Sequence, residues 1–193
     1  MTTTTTDLRV LFERAAEQFA ALLKTVPVAR LDDPTPCGDY DVRALISHVV
    51  GATHRFAHIG EGGHFAEVPA RMDGVPDDGW GTAYGSAMRR ASAAWAVDER
   101  LDATVSVPWG DIPGRAAVGG YLMETVTHTW DLTRALAHPL PLDPELADAV
   151  LPLARQVLPA ARRGGDVPFG PVVSVPEDAD VYDRLAAWLG REV

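Results

Sequence analysis

A glutamate and a histidine four positions apart are the residues of this sequence best suited to chemistry. Glu124 and His128 lie in the run 119–132, which contains no helix-breaking residue after Gly120. On a helix, residues i and i+4 stand on one face, roughly 6 Å apart. A carboxylate and an imidazole held in this way can both reach one divalent cation. The spacing alone leaves two interpretations open, half of a metal site or a surface ion pair of small value.

The apolar residues around this pair recur at helical spacing, so the pair borders the side of the helix that faces a core. These residues are Val118, Tyr121, Leu122, Val126, Leu132 and Leu136. An unpaired carboxylate at such a place is costly, and a metal ion or a hydrogen-bonding partner removes that cost. This position favours the metal interpretation.

A third ligand should come from a facing helix, because two residues of one helix rarely complete a metal site. His48 is the preferred candidate, since it stands about 110° from the centre of the apolar stripe of its own predicted helix, at the edge of the core. A histidine bonded only to backbone or water is the plain alternative. His54 and His58 form a rival pair at i, i+4. They fall on the side away from the apolar stripe, so we expect them to face solvent. Spacing therefore favours His48, Glu124 and His128 as the metal ligands.

Two further polar residues are placed near this predicted site. Asp131 lies three positions after His128 on the same side, where it can accept a hydrogen bond from a ligand imidazole or a bound water. Pairing with Arg134 or Arg43 is the alternative. Cys37 follows a proline just before the second predicted helix, and we expect a structural thiol there rather than a reactive one.

The elements that must position these residues are helices. The apolar pattern predicts six of them, at 7–26, 42–58, 80–96, 115–137, 146–158 and 181–189. Residues 60–79 and 162–178 are predicted loops, 103–109 an extended segment and 110–114 a turn. Long helices with one weak strand candidate predict an all-α bundle.

Composition narrows the class of protein. A chain of 193 residues most simply forms one domain, here over residues 7–193, with 1–6 as a disordered lead-in. A formal charge of −10 and an isoelectric point near 4.9 argue against a nucleic-acid partner, because phosphate binding needs clustered Lys and Arg. One cysteine excludes an intrachain disulfide framework and a thiolate zinc cluster.

Location and partners follow from what the sequence lacks. No apolar run approaches the roughly 18 residues of a membrane span, and the threonine-rich start has no features of a secretory signal. We therefore expect a cytoplasmic protein with no membrane partner.

Two segments carry a resemblance to a known family. Residues 35–48, Thr-Pro-Cys-Gly-Asp-Tyr-Asp-Val-Arg-Ala-Leu-Ile-Ser-His, resemble the segment in which mycothiol-dependent maleylpyruvate isomerase-type proteins carry their first histidine ligand. Residues 124–132, Glu-Thr-Val-Thr-His-Thr-Trp-Asp-Leu, resemble the motif that carries the other two. The ending at 169–190 is similar to a subfamily of uncharacterised actinobacterial metal-binding proteins. All belong to the DinB-like superfamily.

The resemblance implies a DinB-like four-helix bundle with a crossover connection, followed by short C-terminal helices. It also implies one divalent ion, zinc being the expected metal, on His48, Glu124 and His128. Relatives use such sites for reactions that depend on a low-molecular-weight thiol, so mycothiol is the expected cosubstrate, with a small electrophile as substrate. The characterised isomerase type carries a further C-terminal domain, whereas 55 residues follow His138 here, so the resemblance does not extend to maleylpyruvate itself.

Three functions remain open from the sequence. The first is a thiol-dependent isomerase or S-transferase, in which a thiolate attacks an electrophilic carbon. The second is a hydrolase that activates water at the same site. The third is a non-enzymatic module that binds a metal or a small ligand. A homodimer is a possible assembly for any of them.

Overall fold

The computed structural model describes residues 7–38, 40–163 and 169–193. The predicted lead-in at 1–6 and part of the predicted loop at 162–178 lie outside the described residues. No helix in the described ranges is long and apolar enough to cross a membrane.

Four long helices form the bundle, and each matches a helix predicted from apolar periodicity to within a few residues. They are α1 (Leu8–Leu23), α2 (Val42–Gly60), α3 (Trp80–Trp95) and α5 (Gly114–Leu136), with the short α4 (Glu99–Asp102) before the last of them. Asp7 and Asp41 cap α1 and α2, because each carboxylate accepts a hydrogen bond from a backbone N–H in the first turn. The predicted helical architecture is confirmed.

The order of packing requires a crossover connection. α2 lies between α3 and α5, and α1 packs on the other side of the same two helices. Gly60 contacts Trp95 where α2 and α3 end, and the first turns of both helices share one buried cluster. The two helices are therefore parallel neighbours, and residues 61–79 must return along the bundle to join them. This segment includes a 3-10 turn at Phe65–Glu67.

The core consists of two groups of buried side chains. Phe12, Phe56, Trp95 and Tyr121 lie in one group, and Phe19, Tyr84 and Leu132 lie in the other. Edge-to-face contacts join α1 to α2 through Phe12 and Phe56 at 4.8 Å and α1 to α3 through Phe19 and Tyr84 at 4.9 Å. Along α5, the first group includes buried residues from Ala117 to Trp130 and the second includes Leu132 and Leu136. Glu124 and His128 therefore lie in the part of α5 that packs on the first group, next to its boundary with the second.

A small hairpin replaces the predicted extended segment and turn. β1 (Thr104–Val107) pairs antiparallel with β2 (Gly110–Pro113), and Val105 faces Ile112 in the register. The extended prediction is confirmed for most of its length, but the turn predicted at 110–114 was wrong. Residues 108 and 109 make the turn instead. The cause is the partner strand, which pairs with β1 although it carries one apolar side chain, Ile112.

Two C-terminal helices pack outside the bundle, as the sequence predicts. α6 (Pro144–Val157) and α7 (Val181–Trp188) pack on each other and on α5. Asp143 and Asp180 cap them through backbone N–H groups two residues ahead. The chain then turns at Gly190, which has φ of 83°, and this turn directs Arg191 back toward α5.

Candidate metal centre

The structure brings together the three residues that the sequence singles out. His48 Nε2 lies 2.6 Å from Glu124 Oε1, and His128 Nε2 lies 3.9 Å from the same oxygen. The two imidazole rings meet edge to face with centroids 5.3 Å apart. One atom from each of the three side chains lies within 4.8 Å of the others. Two helices, α2 and α5, thus direct three potential ligand atoms at one point.

Both imidazoles are anchored through the nitrogen that faces away from this point. His48 Nδ1 lies 3.3 Å from the carbonyl oxygen of Ala70, and His128 Nδ1 lies 2.9 Å from Asp131 Oδ2. Each acceptor requires a proton on Nδ1, so Nε2 is the nitrogen that each ring would offer to a metal ion. At His48 this nitrogen also lies within hydrogen-bond distance of Glu124 Oε1, so a bound ion would replace a proton there. This arrangement is typical of histidine ligands in metal sites.

The crossover segment supplies the anchor of His48. Ser47 bonds Met72 in both directions, through its hydroxyl to the carbonyl and from the Met72 N–H to the hydroxyl. Gly51 makes this close contact possible, because a Cβ there would stand 2.7 Å from the Ala70 carbonyl group. The sequence predicts 60–79 only as a loop. Its contacts with α2 show that it orients a side chain of the site.

Glu124 is ionised in this environment. Burial on its own raises the pKa of this carboxyl, but the hydrogen bond with His48 and the charges of His128, His48 and Arg191 outweigh burial and lower the pKa to about 2. The carboxylate side chain remains 28% exposed. At neutral pH the cluster therefore places an anionic oxygen beside two imidazole rings at a point that solvent can reach.

Asp131 and Arg191 form a buried ion pair behind His128. Arg191 donates from Nε to Asp131 Oδ1 at 3.2 Å and from Nη2 to Oδ2 at 3.0 Å. Asp131 is fully buried. Burial raises its pKa, but the hydrogen bond with His128 and the charge of Arg191 more than compensate, so its pKa is lowered. One carboxylate thus orients the imidazole and is itself held by a guanidinium.

The structure selects one of the alternatives that the sequence left open for Asp131. Arg134 pairs with Asp183 and Arg43 with Asp77, so neither is the partner of Asp131. Sequence reasoning missed Arg191. The only local signal is an arginine directly after Gly190, and that signal does not indicate a partner 60 positions earlier.

The donor set fits a divalent cation such as zinc. Zinc takes histidine nitrogen and carboxylate oxygen at about 2.0–2.2 Å, which places neighbouring ligand atoms of a tetrahedron somewhat over 3 Å apart. The 2.6 and 3.9 Å separations from Glu124 Oε1 lie on either side of that value. Small side-chain rotations would accommodate an ion, and three protein ligands would leave a coordination position for a further molecule.

A second group of potential ligands shares His128. Cys37 offers its sulfur within 4.8 Å of ligand atoms of His128 and Asp131. This group is less suited to a cation, because Asp131 is already engaged by Arg191 and by His128 Nδ1. A guanidinium at that place repels a metal ion. The geometry therefore favours the cluster of His48, Glu124 and His128, and it places the half-buried Cys37 close to that cluster.

The rival histidines do not form a comparable cluster. His58 Nε2 bonds Glu67 Oε2 at 2.6 Å, and its Nδ1 lies 4.0 Å from Glu61. The pKa of His54 is lowered by burial and by the charge of Arg90. Both histidines are half-buried, so they are less exposed to solvent than the sequence led us to expect. The crossover segment covers the side of α2 that carries His58.

Two residues near His48 were not predicted as part of the site. The Tyr40 ring lies 5.2 Å from the His48 ring, centroid to centroid, and the Arg71 guanidinium lies 4.5 Å from the centre of the Tyr40 ring. The guanidinium lies over the Tyr40 ring as a cation–π contact, and the Tyr40 and His48 rings meet at an angle of 43°. Tyr40 thereby covers one side of His48, and Arg71 brings a positive charge to the outer face of this pair.

Comparison with known proteins identifies the family of this chain. The model of the family described as mycothiol maleylpyruvate isomerase N-terminal domain matches residues 12–133, a range that includes all three residues of the cluster. Uncharacterized proteins from two strains of Mycobacterium tuberculosis are 36% identical over 185 residues, covering 94% of this chain and 96% of theirs.

Two solved structures share the fold. The crystal structure of the mycothiol-dependent maleylpyruvate isomerase superposes with a TM-score of 0.62 at 14% identity, over 78% of this chain and 68% of that one. A histidine-to-alanine mutant of the mycothiol-dependent maleylpyruvate isomerase gives 0.64 at 13% identity, over 82% and 72%. At these identities the likeness establishes the fold alone, a helical bundle as expected from the sequence.

Proposed function

Since this chain belongs to the mycothiol maleylpyruvate isomerase N-terminal domain family, we propose that it is a thiol-dependent enzyme, an isomerase or S-transferase that uses mycothiol on a small electrophile. The observation that carries the proposal is the convergence of His48, Glu124 and His128, with both Nδ1 atoms anchored elsewhere. These residues would hold a divalent ion, for which zinc is the proposed metal.

A bound ion would supply one property, a lowered pKa for a thiol at the site, so that a thiolate is available at neutral pH. The protein supplies the remainder. Because their Nδ1 atoms are anchored, His48 and His128 would offer Nε2 to the ion, and Glu124 adds a single negative charge. Asp131 keeps the His128 ring in one orientation, and the Tyr40 ring packs beside His48. A thiolate that adds to a conjugated C=C bond leaves the negative charge on the substrate as an enolate, and rotation about the new single bond followed by expulsion of the thiolate gives an isomerase. Protonation of the enolate carbon, or of the alkoxide from an opened epoxide, instead leaves the thiol attached and gives an S-transferase.

The experiment measures turnover of small electrophiles by protein purified without a histidine tag and reconstituted with zinc. Unsaturated carbonyl compounds and epoxides are suitable substrates, each tested with mycothiol, with glutathione and without added thiol. We expect turnover with mycothiol that disappears after chelation and in His48→Ala. His58→Ala, a histidine of the same helix outside the cluster, should retain it.

Two results would reject the proposal. One is the absence of metal-dependent turnover with either thiol. The other is turnover without added thiol that yields a water-addition product, because this outcome would assign a hydrolase to the same residues.

A further inference from the structure

Trp109 is the one strongly exposed aromatic side chain in the described ranges, with 54% of its surface accessible. It occupies the second position of the two-residue turn between β1 and β2. The Tyr121 ring lies 5.7 Å from it, centroid to centroid, and supports one side of the indole. Much of a large apolar surface thus remains open to water while the ring itself is held in place.

The indole rests on the backbone of α5 at Gly120. A Cβ built there would lie 2.7 Å from Cζ2 of Trp109 and 3.3 Å from its Cη2. The absence of a side chain at residue 120 therefore allows the ring to contact the helix directly. Other residues would displace it.

This contact places the indole beside the candidate metal centre. Gly120, Glu124 and His128 follow one another at intervals of four along α5, so they share a face of the helix. The Gly120 and Glu124 positions are about 6 Å apart. Side chains on a helix lean toward its N-terminus, so the Glu124 side chain leans toward the level at which the indole lies.

The support beneath Trp109 is rigid. Val105 and Val107 of β1 are buried in the core. Tyr121 stacks in turn on Phe56 with ring centroids 4.5 Å apart. The exposed ring is thus a fixed platform one helical turn from the cluster, and an ordered aromatic surface at the edge of a polar site is typical of ligand recognition.

We propose that Trp109 binds the ring-bearing portion of the thiol cosubstrate, while the thiol itself reaches the cluster of His48, Glu124 and His128. This inference rests on the proposed function. Mycothiol carries glucosamine and inositol rings beyond its cysteinyl part, and their C–H faces can pack on an indole. A thiol without these rings gains nothing from Trp109. Trp109 is thus a specificity residue that separates sugar-bearing thiols from small ones.

The test compares two thiols by calorimetry on the zinc-reconstituted protein, mycothiol and N-acetylcysteine, which lacks the rings. In Trp109→Ala we expect mycothiol to bind about fivefold to tenfold more weakly, the range of an aromatic contact, with N-acetylcysteine and zinc content unchanged. Trp109→Phe should retain part of the difference. Asp111→Ala, an exposed change on the same hairpin, is the matched control and should bind both thiols as the wild type does.

A second readout is the tryptophan fluorescence of the protein. Mycothiol should change it in the wild type and much less in Trp109→Phe, whereas N-acetylcysteine should leave it nearly constant. Sedimentation of Trp109→Ala should match that of the wild type.

The outcomes separate the two proposals. If Trp109→Ala and the wild type bind mycothiol equally, or if both thiols weaken together, Trp109 does not select the thiol although the thiol site stands. If Trp109→Ala changes the oligomeric state, the exposed ring serves a second copy of the chain and the inference is overturned. If neither thiol binds the wild type, the proposed function fails and the role of Trp109 fails with it.

Discussion

Two clusters of histidine, carboxylate and arginine side chains each include one histidine of α2, and they differ in how far their charges are exposed to water. The inner cluster consists of His48, Glu124, His128, Asp131 and Arg191. The outer cluster consists of His58, Glu61, Glu67 and Arg90. In the inner cluster the side chain of Asp131 is fully buried and that of Arg191 is 9% exposed. In the outer cluster those of Glu67 and Glu61 are 61% and 40% exposed.

The difference lies in what each charge can use instead of its partner. Glu67 and Arg90 can each exchange their partner, His58 and Glu61 respectively, for water. These two ion pairs therefore contribute little to the free energy of unfolding. Asp131 has no such exchange, because burial removes it from water and leaves His128 and Arg191 as its partners. Residue types alone do not distinguish the clusters. Burial and the direction of the ring nitrogens do.

The largest expected effect is on metal binding. We expect about one zinc ion per chain in the wild type, and loss of that ion in His48→Ala and in Glu124→Ala, because each removes a ligand. His58→Ala should retain the ion. The affinity losses should exceed the roughly 10- to 100-fold that follows from losing a group that only supports a ligand. Elemental analysis and competitive zinc titration measure both. Retention of zinc in His48→Ala, or its loss in His58→Ala, would show that the wrong cluster had been chosen.

A second prediction compares the two arginine–carboxylate pairs. Arg191→Met leaves the buried charge of Asp131 without its guanidinium and should lower the free energy of unfolding by about 3–5 kcal/mol. Arg90→Met, which breaks the surface pair with Glu61, should cost less than about 1 kcal/mol. Urea denaturation of the metal-free proteins measures both values. Equal values for the two variants would remove the distinction between the clusters.

The sequence predicts the helices and the central pair because both depend on local periodicity. Leu45, Ile46 and Val49 recur at helical intervals and do lie in the core. The same periodicity places His48 at the core edge, where it meets Glu124. These inferences require only the angle between successive residues of a helix.

The remaining features depend on contacts between distant segments. Arg191 enters the site because α7 packs on α6 and α5, and no pattern near residue 191 records that packing. Ala70 anchors His48 because the crossover segment passes the start of α2. β2 forms because β1 offers it a ladder of hydrogen bonds. Sequence reasoning assigned each of these segments a loop, a turn or no role, since their structure is decided by the partner.

Low pH should affect the carboxylates of the two clusters differently. The pKa of Glu124 is lowered from 4.5 to about 2 in the folded protein. Between these pH values the folded protein therefore binds fewer protons at Glu124 than the unfolded chain does. The resulting stability is fully present above about pH 5 and is lost as the pH falls toward 2, with an upper value of about 3 kcal/mol. Asp131 contributes in the same direction, since its pKa is also lowered.

The measurement is urea denaturation of the metal-free protein between pH 6 and pH 3. Glu124→Gln should flatten the loss of stability on the acid side. Glu61→Gln should change it far less, because the lowered pKa of Glu61 depends on a hydrogen bond with Arg90 at the surface, where solvent and salt screen the interaction. If the free energy of unfolding falls by the same amount toward pH 3 in Glu124→Gln and in the wild type, the ionisation assigned to Glu124 is contradicted.

The smallest effect concerns the support of a single ligand. Asp131→Asn keeps an oxygen that can accept the His128 Nδ1 hydrogen bond but removes the negative charge behind the ring. The imidazole becomes a weaker base, so we expect zinc affinity to fall about 10- to 100-fold. Asp183→Asn is the matched control. Asp183 also accepts hydrogen bonds from side chains of α5, namely from Trp130 and Arg134, but it makes no contact with the inner cluster.

Competitive zinc titration of both variants decides what Asp131 does. An unchanged affinity in Asp131→Asn would make this carboxylate only the counter-ion of Arg191, and the inner cluster would then be two independent devices, a ligand set and a buried ion pair. A lower zinc affinity in Asp131→Asn, with no change in Asp183→Asn, would show that the ligand set and the buried ion pair act together. The negative charge of Asp131, which Arg191 of the C-terminal segment holds in place, would then act on the metal through His128. The outer cluster has no equivalent, because its carboxylates are exposed to water.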